Sequence, residues 1–310
     1  MYHQQVLFVN NCLIDISEAS GYLHTKNRQL IIQFKDESPP ASVPIEDITA
    51  LVISSPDTIY SHQLLSALSE SGVCLIVCGR NRLPNGILLP IQGHSTQTER
   101  LKAQAEAKLP LKKQLWKSIV QAKITNQAHL LKKLRGDDFG LLYLSNKVRS
   151  GDPDNKEGQA AKIYWSNLFN TFSFTRGRNE PPPNNYLNYG YAVLRAIVAR
   201  AICTSGLHPS LGIHHHNRYN FFCLADDIME PFRPIVDEEV VQLVRKNKIE
   251  LSLNSEHKKQ LLQALTKSFV FNGETRTLFD IISRITSNLA QIFLAGKGTF
   301  CFPNIISKRK

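Results

Sequence analysis

Up to about residue 95 the apolar positions come in short runs. Val6–Val9, Leu13–Ile16, Gln29–Phe34, Ile48–Ile53 and Cys74–Cys78 are bounded by the turn formers Asn10-Asn11, Pro39-Pro40, Ser55-Pro56-Asp57 and Pro84-Asn85-Gly86. Such runs read as strands. One stretch with helical spacing interrupts them, Ser61 to about Ser71, closed by Gly72. After Gln97 the apolar residues recur every three or four positions. The segments are ERLKAQAEAKL, LKKQLWKSIVQAKITNQAHLLKKL, AAKIYWSNLF, LNYGYAVLRAIVARAICTSG, EEVVQLVRKNKI, KKQLLQALTKSF and LFDIISRITSNLAQIFLAG. Gly136–Gly140, Arg149–Lys156 and Arg176–Asn184, with Pro181-Pro182-Pro183, read as connecting loops. The expected fold class is α+β: a small β-rich domain over residues 1–95, then a larger, mostly α-helical domain over 96–310.

Composition agrees with two folded domains. The chain has 310 residues, 42% of them hydrophobic, which is enough to build a core and excludes a disordered chain. No apolar run approaches the roughly 18 residues of a membrane span; Ala192–Cys203 comes nearest and is interrupted by Arg195 and Arg200. The start, MYHQQVLFVNN, has neither a basic segment nor a long apolar one, so no secretory signal is expected and the protein is placed in the cytoplasm. Of the six cysteines, Cys12, Cys74, Cys78, Cys203, Cys223 and Cys301, two fall in VCLIVC, which reads as a buried strand; none completes a zinc set. Buried free thiols suit a reducing compartment.

Charge narrows the partners. Lys and Arg number 37 against 26 Asp and Glu, a net +11, and from Arg100 to Arg135 ten basic residues face one acid, Glu106. A solvated helix normally mixes signs, because like charges three or four apart repel. Lys108, Lys112, Lys113 and Lys117 form a set with no such relief. A polyanion supplies the missing charge, so nucleic acid is the leading partner.

The densest chemistry lies in GLHPSLGIHHHNRYNFFCLADDIMEPFRP, Gly206 to Pro234, with four histidines and three acids in 29 residues. Asp226 and Glu230 are four apart and Asp227 and Glu230 three apart, so on a helix some share a face. Each such like-charge pair costs roughly 0.2–0.5 kcal/mol when exposed, and more when buried. Two compensations are open: Arg233, three residues beyond Glu230, or a divalent cation. Phe221, Phe222, Leu224, Ile228, Met229 and Phe232 surround the acids with apolar side chains, and burial favours the cation. His214, His215 and His216 add nitrogen donors, a set suited to Mn²⁺ or Mg²⁺ rather than closed zinc. In an extended loop side chains alternate, so one or two of the three face one ion, and spacing does not choose among them. His208, before Pro209, reads as structural. Glu157 opens a helix after SGDPDNK. Asp154-x-x-Glu157 fits a capping box, yet its face continues through Ala160, Ala161, Tyr164 and Leu168, an inward face on which a metal ligand can sit.

LNYGYAVLRA and the Gly206–Pro234 segment together resemble the CRISPR-associated integrases of spacer acquisition, the Cas-one family, and its type II branch most closely. The stretch VPIEDITALVISSPDTIYSHQLLSALSESGVCLIVCGRNRLPNGILLP is similar to that family's β domain. The resemblance implies a homodimer, with residues 1–95 serving dimerisation and partner docking and residues 96–310 carrying catalysis. It implies a small second adaptation protein that joins the dimer to capture short double-stranded DNA. It also implies three catalytic metal ligands, Glu157, His215 (three residues after Gly212) and Glu230, holding Mn²⁺ or Mg²⁺, with Asp227 nearby but not a primary ligand. The implied reaction is an integrase transesterification that joins 3′-hydroxyl ends of prespacer DNA to the CRISPR repeat, with nuclease activity at the same site. Such an exchange needs no nucleotide fuel, and the sequence has no G-x-x-x-x-G-K-[ST] loop. Lys112, Lys113, Lys117, Arg176, Arg178 and Arg195 are expected to hold the DNA backbone. Two rival readings are a general metal-dependent DNA endonuclease and a non-enzymatic DNA-binding scaffold whose acids pair with Arg233.

Overall fold

Alternating side chains send the amino-terminal strands into two cores. The computed structural model describes residues 7–9, 13–17, 21–36, 38–80, 84–91, 93–169, 174–177, 180–246 and 249–305. Five strands, β1 (Leu7–Val9), β2 (Leu13–Ile16), β6 (Ala50–Ile53), β8 (Cys74–Cys78) and β9 (Pro84–Leu88), form one sheet in the order β1-β2-β6-β8-β9. The central pairs β2–β6 and β6–β8 are parallel, and the outer two are antiparallel. A second sheet, in the order β5-β4-β3-β7, uses β3 (Gly21–Lys26), β4 (Gln29–Phe34), β5 (Ala41–Pro44) and β7 (Ile59–Tyr60). Ile14, Ile16, Leu51, Ile53 and Leu75 face that second sheet, meeting Leu23, Leu30, Ile32 and Val43. Leu64 and Leu68 of α1 (His62–Glu70), capped by Ser61, close this core. Leu13, Ala50, Val52, Cys74 and Ile76 face the other way, into the helical core.

The helical part runs α2 (Gln97–Ala105), α3 (Leu109–Arg135), α4 (Leu141–Asn146), α5 (Lys156–Leu168), α6 (Asn184–Thr204), α7 (Cys223–Met229), a 3₁₀ turn (Glu230–Phe232), α8 (Arg233–Arg245), α9 (Ser255–Leu265) and α10 (Leu278–Ala295). No described helix is long and apolar enough to cross a membrane. The almost fully buried α6 is the axis, packing against α7, α8, α10 and the five-stranded sheet. At Gly190 it touches α8 so closely that an added Cβ falls 2.4 Å from Val236 Cγ1. Gly190→Ala is therefore expected to lose about 1–3 kcal/mol of stability by overpacking, read as a lower urea midpoint.

A buried polar cluster joins the two parts. Lys258 of α9, 1% exposed, donates to Ser17 Oγ (2.8 Å) and Ser54 Oγ (3.1 Å) and lies 5.4 Å over the ring of Tyr189, whose hydroxyl donates to buried Asp15 (2.6 Å). Burial pushes the Cys74 thiol up to about 12, which keeps it inert.

Several expected elements differ. Pro84-Asn85-Gly86, read as a turn, begins edge strand β9, where a leading proline is tolerated and the register shifts at Val77/Cys78. The helix expected to run to Phe269 stops at Leu265, because Ser268–Phe271 (β10) pairs with Glu274–Thr277 (β11). Asn272 and Gly273 both take positive φ there, the two-residue turn that an Asn-Gly step favours. Helix α4 lies between two expected loops. Cys12, Asn10-Asn11, Arg178 and the terminal Lys308, Arg309 and Lys310 lie outside the described residues.

Candidate active site

Helix α5 starts where two side chains take its free amides. Asn155, in the left-handed region, accepts from Gly158 N (3.0 Å), and the Asp152 carboxylate accepts from Lys156 N (2.8 Å) and Glu157 N (3.0 Å). Asp154, the expected cap, instead pairs with Arg149 at 2.7 Å. Glu157 is thus released from capping, and its Oε1 lies 2.6 Å from Lys123 Nζ on α3.

Glu230 reaches the same ammonium from the 3₁₀ turn. Its Oε2 lies 2.7 Å from Lys123 Nζ and its Oε1 2.9 Å from Arg233. Burial alone raises a carboxylate's pKa, but the Arg233 and Lys123 cations outweigh it and hold Glu230 down to about 2. Burial alone also depresses an ammonium, and Glu230 and Glu157 together hold Lys123 above its ordinary value instead. Oε2 is buried and, despite the short approach, receives no well-directed hydrogen bond. It is a carboxylate oxygen with coordinating capacity left over.

Asp227 does something different. Fully buried, it accepts from the backbone of Ile213 (2.6 Å), His214 (3.0 Å) and His215 (3.2 Å), and its Oδ1 is 2.6 Å from His215 Nδ1. That hydrogen bond raises the pKa of His215 and turns its other nitrogen, Nε2, away from Asp227. A carboxylate that fixes one imidazole nitrogen so that the other can bind is the usual support of a metal-ligating histidine. The Trp116 indole braces the pair, with His214 stacked on it at 4.1 Å and His215 edge-on at 5.8 Å. His216 turns back to the His214 carbonyl (2.7 Å). His208 pairs with Ser210 (2.7 Å).

The three acids therefore go to three places. Asp226 pairs with Arg195 (2.7 Å) and Asn220 (2.7 Å), Asp227 holds the histidine loop, and Glu230 meets Lys123 and Arg233. Among the described residues no three His, Cys, Asp or Glu side chains close into a metal-holding set. Glu157 and Glu230 converge on the Lys123 ammonium instead; carboxylate oxygens and an imidazole nitrogen are the donor types that Mn²⁺ or Mg²⁺ accepts.

The basic run divides as well. Arg100 is buried on the Ser205 carbonyl, Lys123 sits between the two acids, Lys133 pairs with Glu238, and Arg135 takes the last carbonyls of α5. The charge read from the sequence as one polyanion face is thus partly internal. Half-buried Lys112 and exposed Lys113 lie on the first turns of α3. Lys117 lines a groove of about 700 Å³ with Lys147, Arg149 and Lys156. Arg176 and Arg195 line a second cleft, of about 400 Å³, with Arg233, Asn188 and Tyr191. Tyr191 sits under the guanidiniums of Arg233 (4.5 Å) and Arg176 (5.3 Å). Its hydroxyl and that of Tyr164 (2.7 Å) both donate to Asp237, a carboxyl that burial pushes up to about 6.

Sequence reasoning passed over Lys123. The signal was present: Trp116, Ile119, Val120, Lys123 and Gln127 share one stripe of α3, and a lysine on an otherwise inward stripe needs an anionic partner. Arg233 was legible from its spacing as the partner of Glu230 and pairs with it at 2.9 Å, whereas Tyr191 had no such signal, because Asp237, Arg176 and Arg233 reach it from other elements.

The cluster thus sets a carboxylate-fixed histidine and two acids that share one lysine on elements of the helical part. The chain belongs to the Cas1 family: residues 14–269 match the family described as CRISPR associated protein Cas1. It is 42% identical over 248 residues to the CRISPR-associated endonuclease Cas1 of Neisseria meningitidis serogroup C (strain 8013), spanning 79% of this chain and 80% of that protein. It is 27% identical over 308 residues to CRISPR-associated endonuclease Cas1 1 of Francisella tularensis subsp. novicida (strain U112), spanning 90% and 94%. Among solved structures it is similar in fold to a casposase bound to integration product (TM-score 0.76, 21% identity, 96% of this chain and 94% of that one). A Cas1 protein from Thermotoga maritima is similar too (TM-score 0.74, 21% identity, 93% and 98%).

Proposed function

We propose that this chain is a CRISPR adaptation integrase that exchanges phosphodiester bonds in DNA. The 3′-hydroxyl of a short donor duplex attacks a phosphodiester of the repeat, a new phosphodiester forms, and the displaced strand leaves with its own 3′-hydroxyl. Water in place of the hydroxyl makes the same site a nuclease. The observation that carries this reading is the convergence of Glu157 and Glu230 on one cation position beside a carboxylate-fixed His215. The relatives support it by what they are: an endonuclease in Neisseria meningitidis and, in fold, a casposase with its integration product.

Glu157, Glu230 and His215 Nε2 would hold Mn²⁺ or Mg²⁺, which supplies Lewis-acid stabilisation of charge building on the phosphate. Asp227 keeps His215 in one orientation. Arg233 neutralises part of Glu230 and, with Arg176 and Arg195, lines the cleft where a strand's phosphates lie. Such contacts position the backbone and carry little sequence information, so repeat choice falls to DNA shape and to partners. The partners we infer are a second copy of the chain and a small adaptation protein, in keeping with similar folds in a Cas6-RT-Cas1–Cas2 complex and a TtCas1–DNA complex. If about five basic residues meet phosphates, log K falls with log[salt] at a slope of roughly −4.5.

The test runs the exchange backwards. A branched DNA resembling a half-joined donor is incubated with Mn²⁺, Mg²⁺ or EDTA and its strands are resolved on a denaturing gel. Metal-dependent release of the flap with the continuous strand resealed is expected. Cleavage without resealing would leave a nuclease, and binding without new strands would leave a scaffold. In the same assay His215→Ala is expected to abolish exchange, while His216→Ala, whose exposed ring bonds the His214 carbonyl, keeps it within about threefold.

A further inference from the structure

Lys123 reaches from α3 to 2.6 Å from Glu157 and 2.7 Å from Glu230, so carboxylates from two other elements share a single positive charge. The backbone does not depend on that ammonium. Asn126 donates to the Pro231 carbonyl (2.9 Å) and ties the turn that carries Glu230 to α3, while Asp152 and Asn155 hold the start of α5 beneath Glu157. Nor is the contact with Glu230 a directed bond, since its Oε2 is buried and receives no well-aligned hydrogen. Lys258 differs: equally interior, it donates to the hydroxyls of Ser17 (2.8 Å) and Ser54 (3.1 Å). The charges around Lys123 also balance. Glu157 and Glu230 meet Lys123 and Arg233, and Asp226 meets Arg195. Adding a divalent ion to so balanced a set leaves two positive charges in excess, which is costly away from bulk water. Either a cation withdraws or an anion arrives.

We propose that Lys123 is a displaceable counter-ion: it competes with the divalent cation for Glu157 and Glu230, and on withdrawing it pairs with a phosphate of the bound DNA. The proposal rests on the integrase reading above and adds that metal and DNA bind cooperatively through one lysine. Lysine suits the task, because a compact charge on a flexible four-carbon stem changes partners more readily than the rigid fork of an arginine. The position opens to solvent on the Glu157 side, whose side chain is 25% exposed, and closes at Glu230, which is 8% exposed. No covalent bond changes, and the lysine keeps its proton throughout.

The experiment titrates the full chain with Mn²⁺ and counts the free ion by electron paramagnetic resonance, with and without a DNA duplex, the duplex alone serving as the blank. Wild-type protein is expected to bind Mn²⁺ about 5- to 150-fold more tightly when duplex is present. Lys123→Met keeps the stem and removes the charge. It should bind Mn²⁺ more tightly than wild type in the absence of DNA and gain little from duplex. A purely structural lysine gives the opposite sign, since loosened acids hold the ion less well. Should Lys123→Met fail to fold, reductive methylation of the wild type decides. Read by mass spectrometry, it is expected to reach Lys123 faster in Mg²⁺ than in EDTA, and to slow again when duplex joins the Mg²⁺. Equal Mn²⁺ affinity with and without duplex, a Lys123→Met that binds no tighter than wild type, or methylation unmoved by Mg²⁺ overturns the counter-ion and leaves the integrase reading standing. Failure of wild type and variant alike to bind Mn²⁺, with or without duplex, would remove the metal site on which that reading depends.

Discussion

Glu157→Gln is expected to abolish strand exchange on branched DNA, by at least about a thousandfold, while DNA affinity stays within about twofold. The substitution keeps shape and still accepts a hydrogen bond from Lys123, which lies 2.6 Å away, so the fold has little reason to respond. What it removes is one of the two carboxylate charges that meet at Lys123, where the proposed metal ion would be worth several kcal/mol of transition-state charge stabilisation. The gel assay in Mn²⁺ measures the first quantity and anisotropy the second. Undiminished exchange in this variant would take Glu157 out of the site.

Asp227→Ala has the larger effect on the fold. Three backbone N–H groups and His215 converge on this fully buried carboxylate. Deleting it strands buried donors and an organised loop, at a cost of about 3–5 kcal/mol, read from urea unfolding. Asp227→Asn separates stability from orientation. It keeps the volume and one accepting oxygen, so the protein remains folded, while the weaker hold on His215 lowers exchange about 10- to 100-fold. Full exchange by Asp227→Asn would mean that the carboxylate organises the loop without serving the histidine.

Legibility followed burial. Strands β2, β6 and β8 show in the sequence because, Asp15 apart, their side chains are apolar, turned to one core or the other. Strands β3, β5 and β7 do not, because GYLHTK, ASVP and IY carry polar or solvent-facing side chains and draw their pairing from neighbours. The Asn272-Gly273 hairpin was readable from its turn chemistry and was hidden by a preceding helical pattern. At the site, spacing marked the acidic cluster but could not sort it. Only tertiary packing sends Asp226 to Arg195, Asp227 to a loop and Glu230 to Lys123. Glu157 was equally ambiguous, since a cap and a ligand share its position. The family resemblance singled it out, and the placement of Asp152 explains why its side chain is free for other work.

The shared core sets an order of events during synthesis. The face formed by Leu13, Ala50, Val52, Cys74 and Ile76 belongs to the helical core, and Ser17 meets Lys258 across 241 residues of chain. The sheet is complete at Leu88, 170 residues before Lys258, so at translation rates of about 5–20 residues per second it emerges roughly 8–34 s before α9 exists to cover its polar cluster. For that interval a nascent chain carries a finished sheet with one apolar face still uncovered. Ribosome-bound chains stalled between β9 and α6 should therefore be the species that chaperones engage most strongly.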